Sequence, residues 1–184
     1  MLNKALQSSD FKRVVVIGNS CAGKTTFANE LAHQLGCSMI DLDELFWDKN
    51  WTPKTTKDFI QLTAQAVSDQ EWIVAGDFSI VRNIIWSRAT LIIWLDYSFS
   101  VIIWRSLRRT FRRLLTQESL WHGNHESFKR VFLSRDSILL WVIRTFKQNR
   151  LKYSTLQQQN EYSHLKWATL QQPQEASIIL KTLR

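Results

Sequence analysis

The chain has 184 residues and a formal net charge of +8, with 45% hydrophobic and 22% charged residues. That length suits one domain with a sizeable core, and the composition excludes disordered and fibrous classes. No apolar run reaches bilayer-spanning length, the N-terminal MLNKALQSSDFKR lacks a signal-peptide core, and Cys21 and Cys37 form neither a disulfide framework nor a metal-binding spacing. A reducing, cytoplasmic setting is therefore expected.

Residues 1–12 read as a short, partly mobile lead-in. The β-branched run Val14-Val15-Val16-Ile17 then reads as a buried parallel strand. It runs directly into GNSCAGKTT, residues 18–26, which fits G-x-x-x-x-G-K-[ST] and opens a helix with Phe27, Leu31 and Leu35 on one face. Strand, glycine loop and helix in register point to a phosphate site. Gly18 and Gly23 allow a tight turn, so the main-chain N–H groups of Gly18, Asn19, Ser20, Cys21, Ala22, Gly23, Lys24, Thr25 and Thr26 can surround a phosphate chain. Lys24 would reach the β- and γ-phosphates, and the Thr25 hydroxyl would hold Mg²⁺. Cys21 reads as a small filler rather than a nucleophile.

Gly36 supplies a helix stop. A second strand is expected from Ser38 to Leu42, followed by a polar turn with Trp47, Trp51 and Pro53, and a helix near 56–69. EWIVA, residues 71–75, is a third strand, a helix near 79–88 follows, and Leu91 to Leu95 is a fourth strand ending at Asp96. Long helical stretches are expected at about 98–115 and 126–148, flanking a hinge with His122-Gly123-Asn124. His164 to Leu170 reads as a last strand and Gln174 to Leu183 as a closing helix. Most of the nine tryptophans read as core. This alternation predicts a doubly wound α/β domain spanning 1–184.

In such sheets ligands collect beyond the carboxyl ends of the strands, where Asp41, Asp43, Asp77 and Asp96 fall. Mg²⁺ takes one or two carboxylates, and an acceptor hydroxyl benefits from a carboxylate that takes its proton. Asp43 is the first choice for the acceptor side, and Asp77 or Asp41 for the outer shell of Mg²⁺. Any one of them alone could equally cap a helix or turn.

The charge is uneven. Between Arg105 and Arg150 there are 11 Lys and Arg against three acids, a surplus equal to that of the whole chain. Arg105, Arg108, Arg109, Arg112 and Arg113 recur at helical spacing, with Val101, Trp104, Phe111 and Leu115 as an apolar side. Three readings stand: a closing lid whose arginines clamp the transferring phosphate, a nucleic-acid patch, or a basic amphipathic helix packed on the sheet and touching a membrane surface.

Taken together, GNSCAGKTT, DLDELFWDKNW (41–51), EWIVAGDFS (71–79) and RATLIIWLD (88–96) with the arginine-rich helix resemble the small P-loop kinases related to adenylate kinase. Within them the chain looks like the branch called DNA topology modulation proteins. Leu120-Trp121 to Phe128 and Asp136 to Trp141 add to the likeness. The resemblance implies a P-loop NTPase fold, a five-stranded parallel sheet in order 2-3-1-4-5, ATP with Mg²⁺, and a mobile lid near 105–135. It makes Arg105 and Arg109 lid arginines on the ATP phosphates, puts Arg82 or Arg88 at the acceptor, and sets Gln171 to Pro173 against the adenine ring. Lys24, Asp43, Arg105 and Arg109 are then the catalytic set, with Asp43, Asp77, Arg82 and Arg88 at the acceptor and Thr25, Asp41 and Asp77 near the metal. Ala75 stands where related chains often carry Asp, which promotes Asp77. The implied function is transfer of the γ-phosphate of Mg-ATP to a small acceptor, a nucleoside monophosphate being one candidate. The alternative is a DNA-binding protein that uses nucleotide as a switch.

Overall fold

The computed structural model describes residues 6–116 and 138–183. Five parallel strands form one sheet in the order β2-β3-β1-β4-β5, as the family resemblance implied. They are β1 (Arg13–Gly18), β2 (Ser38–Asp41), β3 (Trp72–Ala75), β4 (Leu91–Leu95) and β5 (Lys166–Leu170). The central strand β1 pairs with β3 through Val14↔Ile73 and Val16↔Ala75, and with β4 through Val14↔Leu91 and Gly18↔Leu95. Helices are α1 (Lys24–Leu35), α2 (Leu42–Phe46), α3 (Thr56–Ala66), α4 (Ser79–Trp86), α5 (Phe99–Thr116), α6 (Ile138–Gln158) and α7 (Pro173–Thr182).

The period of two along β1 sorts its side chains into two cores. Val14 and Val16 face a layer with Phe27, Leu31 and Ile179. Val15 and Ile17 face the other, with Phe59, Trp72, Ile85 and Trp86. A strand buried on both faces can dispense with polar alternation, so the apolar run at 14–17 is the mark of a central parallel strand. Trp72, Trp86 and Phe59 are each fully buried, and truncating any of them to alanine is worth about 3–5 kcal/mol.

Several boundaries differ from the sequence expectation. The second strand stops at Asp41, whose side chain accepts from the N–H of Asp43 and caps the short helix α2. Within the lead-in Ser8–Lys12 forms a 3-10 turn that buries Asp10 and Phe11. Helix α6 runs ten residues past 148, to Gln158, while its expected start at 126 lies outside the described residues, as does the hinge at 122–124. Of the tryptophans, Trp72, Trp86 and Trp94 are buried, whereas Trp104 is 65% exposed.

The turn after β1 depends on glycine. Gly18 has φ +147°, and a Cβ there would sit 2.8 Å from the Leu95 carbonyl oxygen, a main-chain atom that cannot swing aside. Gly18→Ala is therefore expected to cost about 2 kcal/mol or more, read as a lowered urea midpoint at unchanged m-value.

Candidate active site

The phosphate loop is built as a tight concave turn. Cys21 (φ 65°) and Gly23 (φ 93°) adopt left-handed backbone. The Ala22 N–H donates to the Asn19 carbonyl at 3.2 Å, and Lys24 donates through Nζ to that same carbonyl at 3.1 Å. Cys21 is half-buried against the core, in keeping with a filler. Burial pulls the Lys24 ammonium below its usual pKa, Asp43 working against that pull and Arg109 adding to it. An ammonium desolvated in this way gains most from an incoming polyphosphate.

Two carboxylates stand beside it. Thr25 donates through Oγ1 to Asp41 Oδ2 at 3.1 Å, while Asp41 Oδ1 accepts from the Asp43 N–H at 3.0 Å. Burial raises the pKa of both carboxyls, the Asp43 charge adding to the effect at Asp41, and Lys24 and then Arg109 opposing it at Asp43. The Thr25 hydroxyl and the Asp41 carboxylate are adjacent hard oxygen donors, and they fit a Mg²⁺ held mainly by phosphate oxygens and water. Among the described residues no group of three or more His, Cys, Asp or Glu could hold a metal by itself. Because folding lifts the Asp43 pKa, its ionised form is disfavoured in the fold at neutral pH. Asp43→Asn is accordingly expected to raise the thermal midpoint at pH 7 while lowering turnover at least about 100-fold, as checked by melting curves and ADP release.

Asp77 does not fit the metal. Its side chain is 1% exposed, and both oxygens are taken by cations. Arg82 donates through Nε to Oδ1 and through Nη2 to Oδ2, each at 2.8 Å, and Lys152 donates through Nζ to Oδ2 at 2.6 Å. A Mg²⁺ would have to displace two paired cations. Arg82 also lies over the Trp86 ring, 5.4 Å from its centroid, so it keeps a place beyond β3. Arg88 does not. Its Nη2 donates to the carbonyls of Ser68 (2.8 Å) and Asp69 (3.3 Å), ahead of β3, at the amino end of the sheet. The acceptor role expected for Arg88 is corrected by this placement.

Helix α5 turns a different face inward from the one its apolar residues suggested. Ile102, Ser106 and Thr110 are buried at four-residue spacing, whereas Phe111 and Leu115 are exposed. Small hydroxyl side chains let the helix approach closely and bring its arginines to the loop. Arg105 donates through Nη1 to the Ala22 carbonyl, and its guanidinium lies 5.0 Å from the centroid of the Tyr97 ring. Arg109 is close enough to act electrostatically on both Lys24 and Asp43. The rest of the expected lid, 117–135, lies outside the described residues, with Leu120-Trp121 to Phe128. Of Asp136 to Trp141, Asp136 and Ser137 also lie outside them.

Helix α6 supplies residues that the sequence reading missed. Asn149 donates through Nδ2 to Asn19 Oδ1 at 3.0 Å, in the phosphate loop. Arg150 meets Asp96 Oδ2 through Nε at 3.1 Å and Nη2 at 2.9 Å, and Lys152 reaches Asp77. Within four residues, α6 thus tethers the ends of β1, β4 and β3. The excess of cations between 105 and 150 took in Arg150 but neither Asn149 nor Lys152. Asp96 and Arg150, with Ser98, Val101, Gln171 and Pro173, line a cavity of about 580 Å³. Its far wall is held by Glu175, which accepts from the N–H groups of Gln171 (2.6 Å) and Gln172 (2.9 Å).

The shikimate kinase family model matches residues 20–155, well over half of the chain. This chain belongs to the shikimate kinase family. Solved P-loop kinases share its fold. The Acinetobacter baumannii shikimate kinase in complex with shikimate has a TM-score of 0.54 at 15% identity, over 94% of this chain and 93% of that one. A gluconokinase from Sinorhizobium meliloti 1021 has a TM-score of 0.51 at 18% identity, over 95% and 90%. Shikimate kinase from Aquifex aeolicus vf5 has a TM-score of 0.51 at 16% identity, over 93% and 95%. No curated protein gives a significant match. The comparisons support a shikimate kinase family member, and they lend no support to the DNA topology modulation branch, to adenylate-kinase-like specifics or to a nucleic-acid partner. Among the described residues no helix is long and apolar enough to cross a membrane.

Proposed function

We propose that this chain transfers the γ-phosphoryl group of ATP to a hydroxyl of a small acceptor, with Mg²⁺ as cofactor. The observation that carries the reading is the turn at 18–26 with Lys24 on the Asn19 carbonyl and Arg105 on the Ala22 carbonyl, beside the hydrogen-bonded Thr25–Asp41–Asp43 group. The loop amides would cradle the phosphates, and Lys24, Arg105 and Arg109 would stabilise the charge that spreads over the transferring group. Asp43 would take the proton of the acceptor hydroxyl, a task for which its burial-raised pKa makes it a stronger base than an exposed carboxylate. Thr25 and, through water, Asp41 would hold Mg²⁺, which neutralises phosphate oxygens when bound. The cavity between Asp96 and Pro173 would take the adenine ring.

The acceptor side lies between the ends of β2 and β3, where Asp43, Arg82 and Lys152 are the polar groups. Two kinds of acceptor suit it: small hydroxy acids such as those that name the shikimate and gluconate kinases, and nucleoside monophosphates. The deciding experiment is a panel of shikimate, gluconate and nucleoside monophosphates with Mg-ATP, scored for ADP release and for phosphorylated product. An acceptor-dependent rate lost in both Lys24→Ala and Asp43→Asn is expected. A purified protein that binds no Mg-ATP would overturn the reading.

A further inference from the structure

Arg88 belongs to a second cavity, of about 480 Å³, at the amino end of the sheet; its walls include Asp10, Arg13, Thr90, His164 and Lys166. Strand β1 begins at this cavity with Arg13 and ends at the phosphate loop with Gly18. Five residues of extended chain put the two sites about 16 Å apart, so one small ligand cannot fill both.

The charges lining this cavity do not balance. Arg13, Arg88 and Lys166 are the basic groups, and Asp10 is the one acid among the described lining residues. Asp10 Oδ1 accepts from Lys166 Nζ at 2.6 Å. Among the described residues the two guanidinium groups have main-chain partners only. Arg13 donates through Nε to the Arg88 carbonyl and through Nη1 to the Gln70 carbonyl at 3.5 Å, and Arg88 reaches the Ser68 and Asp69 carbonyls. Carbonyl oxygens satisfy hydrogen-bond donors without cancelling a full charge. They also hold each planar fork in one orientation, so little side-chain freedom remains to be lost when a ligand arrives. His164 donates through Nε2 to the Trp86 carbonyl at 3.2 Å, which leaves Nδ1 as its other polar ring atom. Among the described lining residues two positive charges are left over, and each guanidinium, with five N–H donors, keeps some that these carbonyls do not take and that can point to an anion.

We propose that this cavity is a second anion site, distinct from the phosphate loop, taking a compact dianion: orthophosphate or the phosphate end of a phosphomonoester. The site does not depend on the kinase reading, because none of its residues takes part in that reading. It also accounts for Arg88 and Arg13 standing together at the end of the sheet remote from the chemistry.

The test is calorimetric titration of the full chain at low ionic strength with orthophosphate and, separately, with glycerol 3-phosphate. It is run on the unsubstituted protein, Arg88→Gln, the paired substitution Asp10→Asn with Lys166→Gln, Lys24→Ala, and Lys181→Gln as an exposed-charge control. The paired substitution removes an ion pair as a unit, so it avoids stranding the buried Asp10. We expect a binding component whose affinity falls at least tenfold in Arg88→Gln and stays within about threefold in the charge-neutral paired variant, in Lys24→Ala and in Lys181→Gln, any component lost only in Lys24→Ala belonging to the phosphate loop. Tighter binding of glycerol 3-phosphate would assign the site to a monoester, and tighter binding of orthophosphate to the free ion. The proposal is overturned if nothing binds, if Lys24→Ala abolishes all binding, or if Lys181→Gln weakens it as much as Arg88→Gln.

Discussion

Lys24→Ala is expected to cut phosphoryl transfer by about 10²–10³-fold, equivalent to about 3–4 kcal/mol of transition-state stabilisation. The loss should fall mainly on kcat, because the ammonium does most when charge moves onto the bridging and terminal oxygens. The same substitution should leave the thermal midpoint of the ligand-free protein unchanged or slightly higher. Burial holds the Lys24 pKa below its unfolded value of 10.5, so the charged form is disfavoured in the fold at neutral pH and removing it removes a cost. A melting curve beside the ADP-release assay separates the two effects. A midpoint that falls by several degrees would mean that Lys24 holds the loop together rather than serving a ligand.

The second large effect falls on Asp77. Asp77→Ala would strip the counterion from Arg82, whose side chain is 15% exposed, and from Lys152, whose side chain is 36% exposed. Breaking a buried pair by removing one partner costs about 3–5 kcal/mol, a large share of the roughly 5–15 kcal/mol that holds a domain folded. Lys152 can swing to solvent, so most of the penalty should come from Arg82. Asp77→Ala combined with Arg82→Met should recover part of the loss, and a urea series on the four proteins measures the coupling. The acid limb carries an independent signature. Burial alone would raise the Asp77 pKa, but Arg82 and then Lys152 hold it below 3.8. With the folded value below the unfolded one, its contribution is complete above about pH 4 and disappears as pH falls through the folded value. Asp77→Asn should flatten that part of the stability profile.

The contrast between Asp77 and the Asp41–Asp43 pair shows what local spacing reveals and what it does not. All four strand-end aspartates were legible, because a carboxylate after a short apolar run falls at the carboxyl edge of a parallel sheet. Their partners were not. Lys152 reaches Asp77 from 75 positions away, and Asn149 reaches Asn19 from 130 positions away. Pairings of that kind are set by how α6 lies across the sheet, and no periodicity encodes them. Arg88 illustrates the reverse error. The family resemblance put Arg82 or Arg88 at the acceptor, but α4 carries the chain back to the amino edge before β4 begins. On α5 the largest apolar residues, Trp104, Phe111 and Leu115, pointed to the wrong inner face. The buried stripe there is Ile102, Ser106 and Thr110, where close approach matters more than hydrophobicity. The phosphate loop was readable for the opposite reason, since its strand, glycines, lysine and helix are contiguous.

The tethers on α6 also bear on how the protein is made. Asn19, Asp77 and Asp96 leave the ribosome before the residues at 149–152 that satisfy them, and before the edge strand that completes the sheet. A nascent chain that stops short of α6 would hold Asp96 without its counterion and Asp77 with Arg82 alone, and would keep Asp96 hydrated rather than bury it. Nucleotide affinity should therefore arise late and all at once during synthesis, rather than accrue as each half of the sheet emerges.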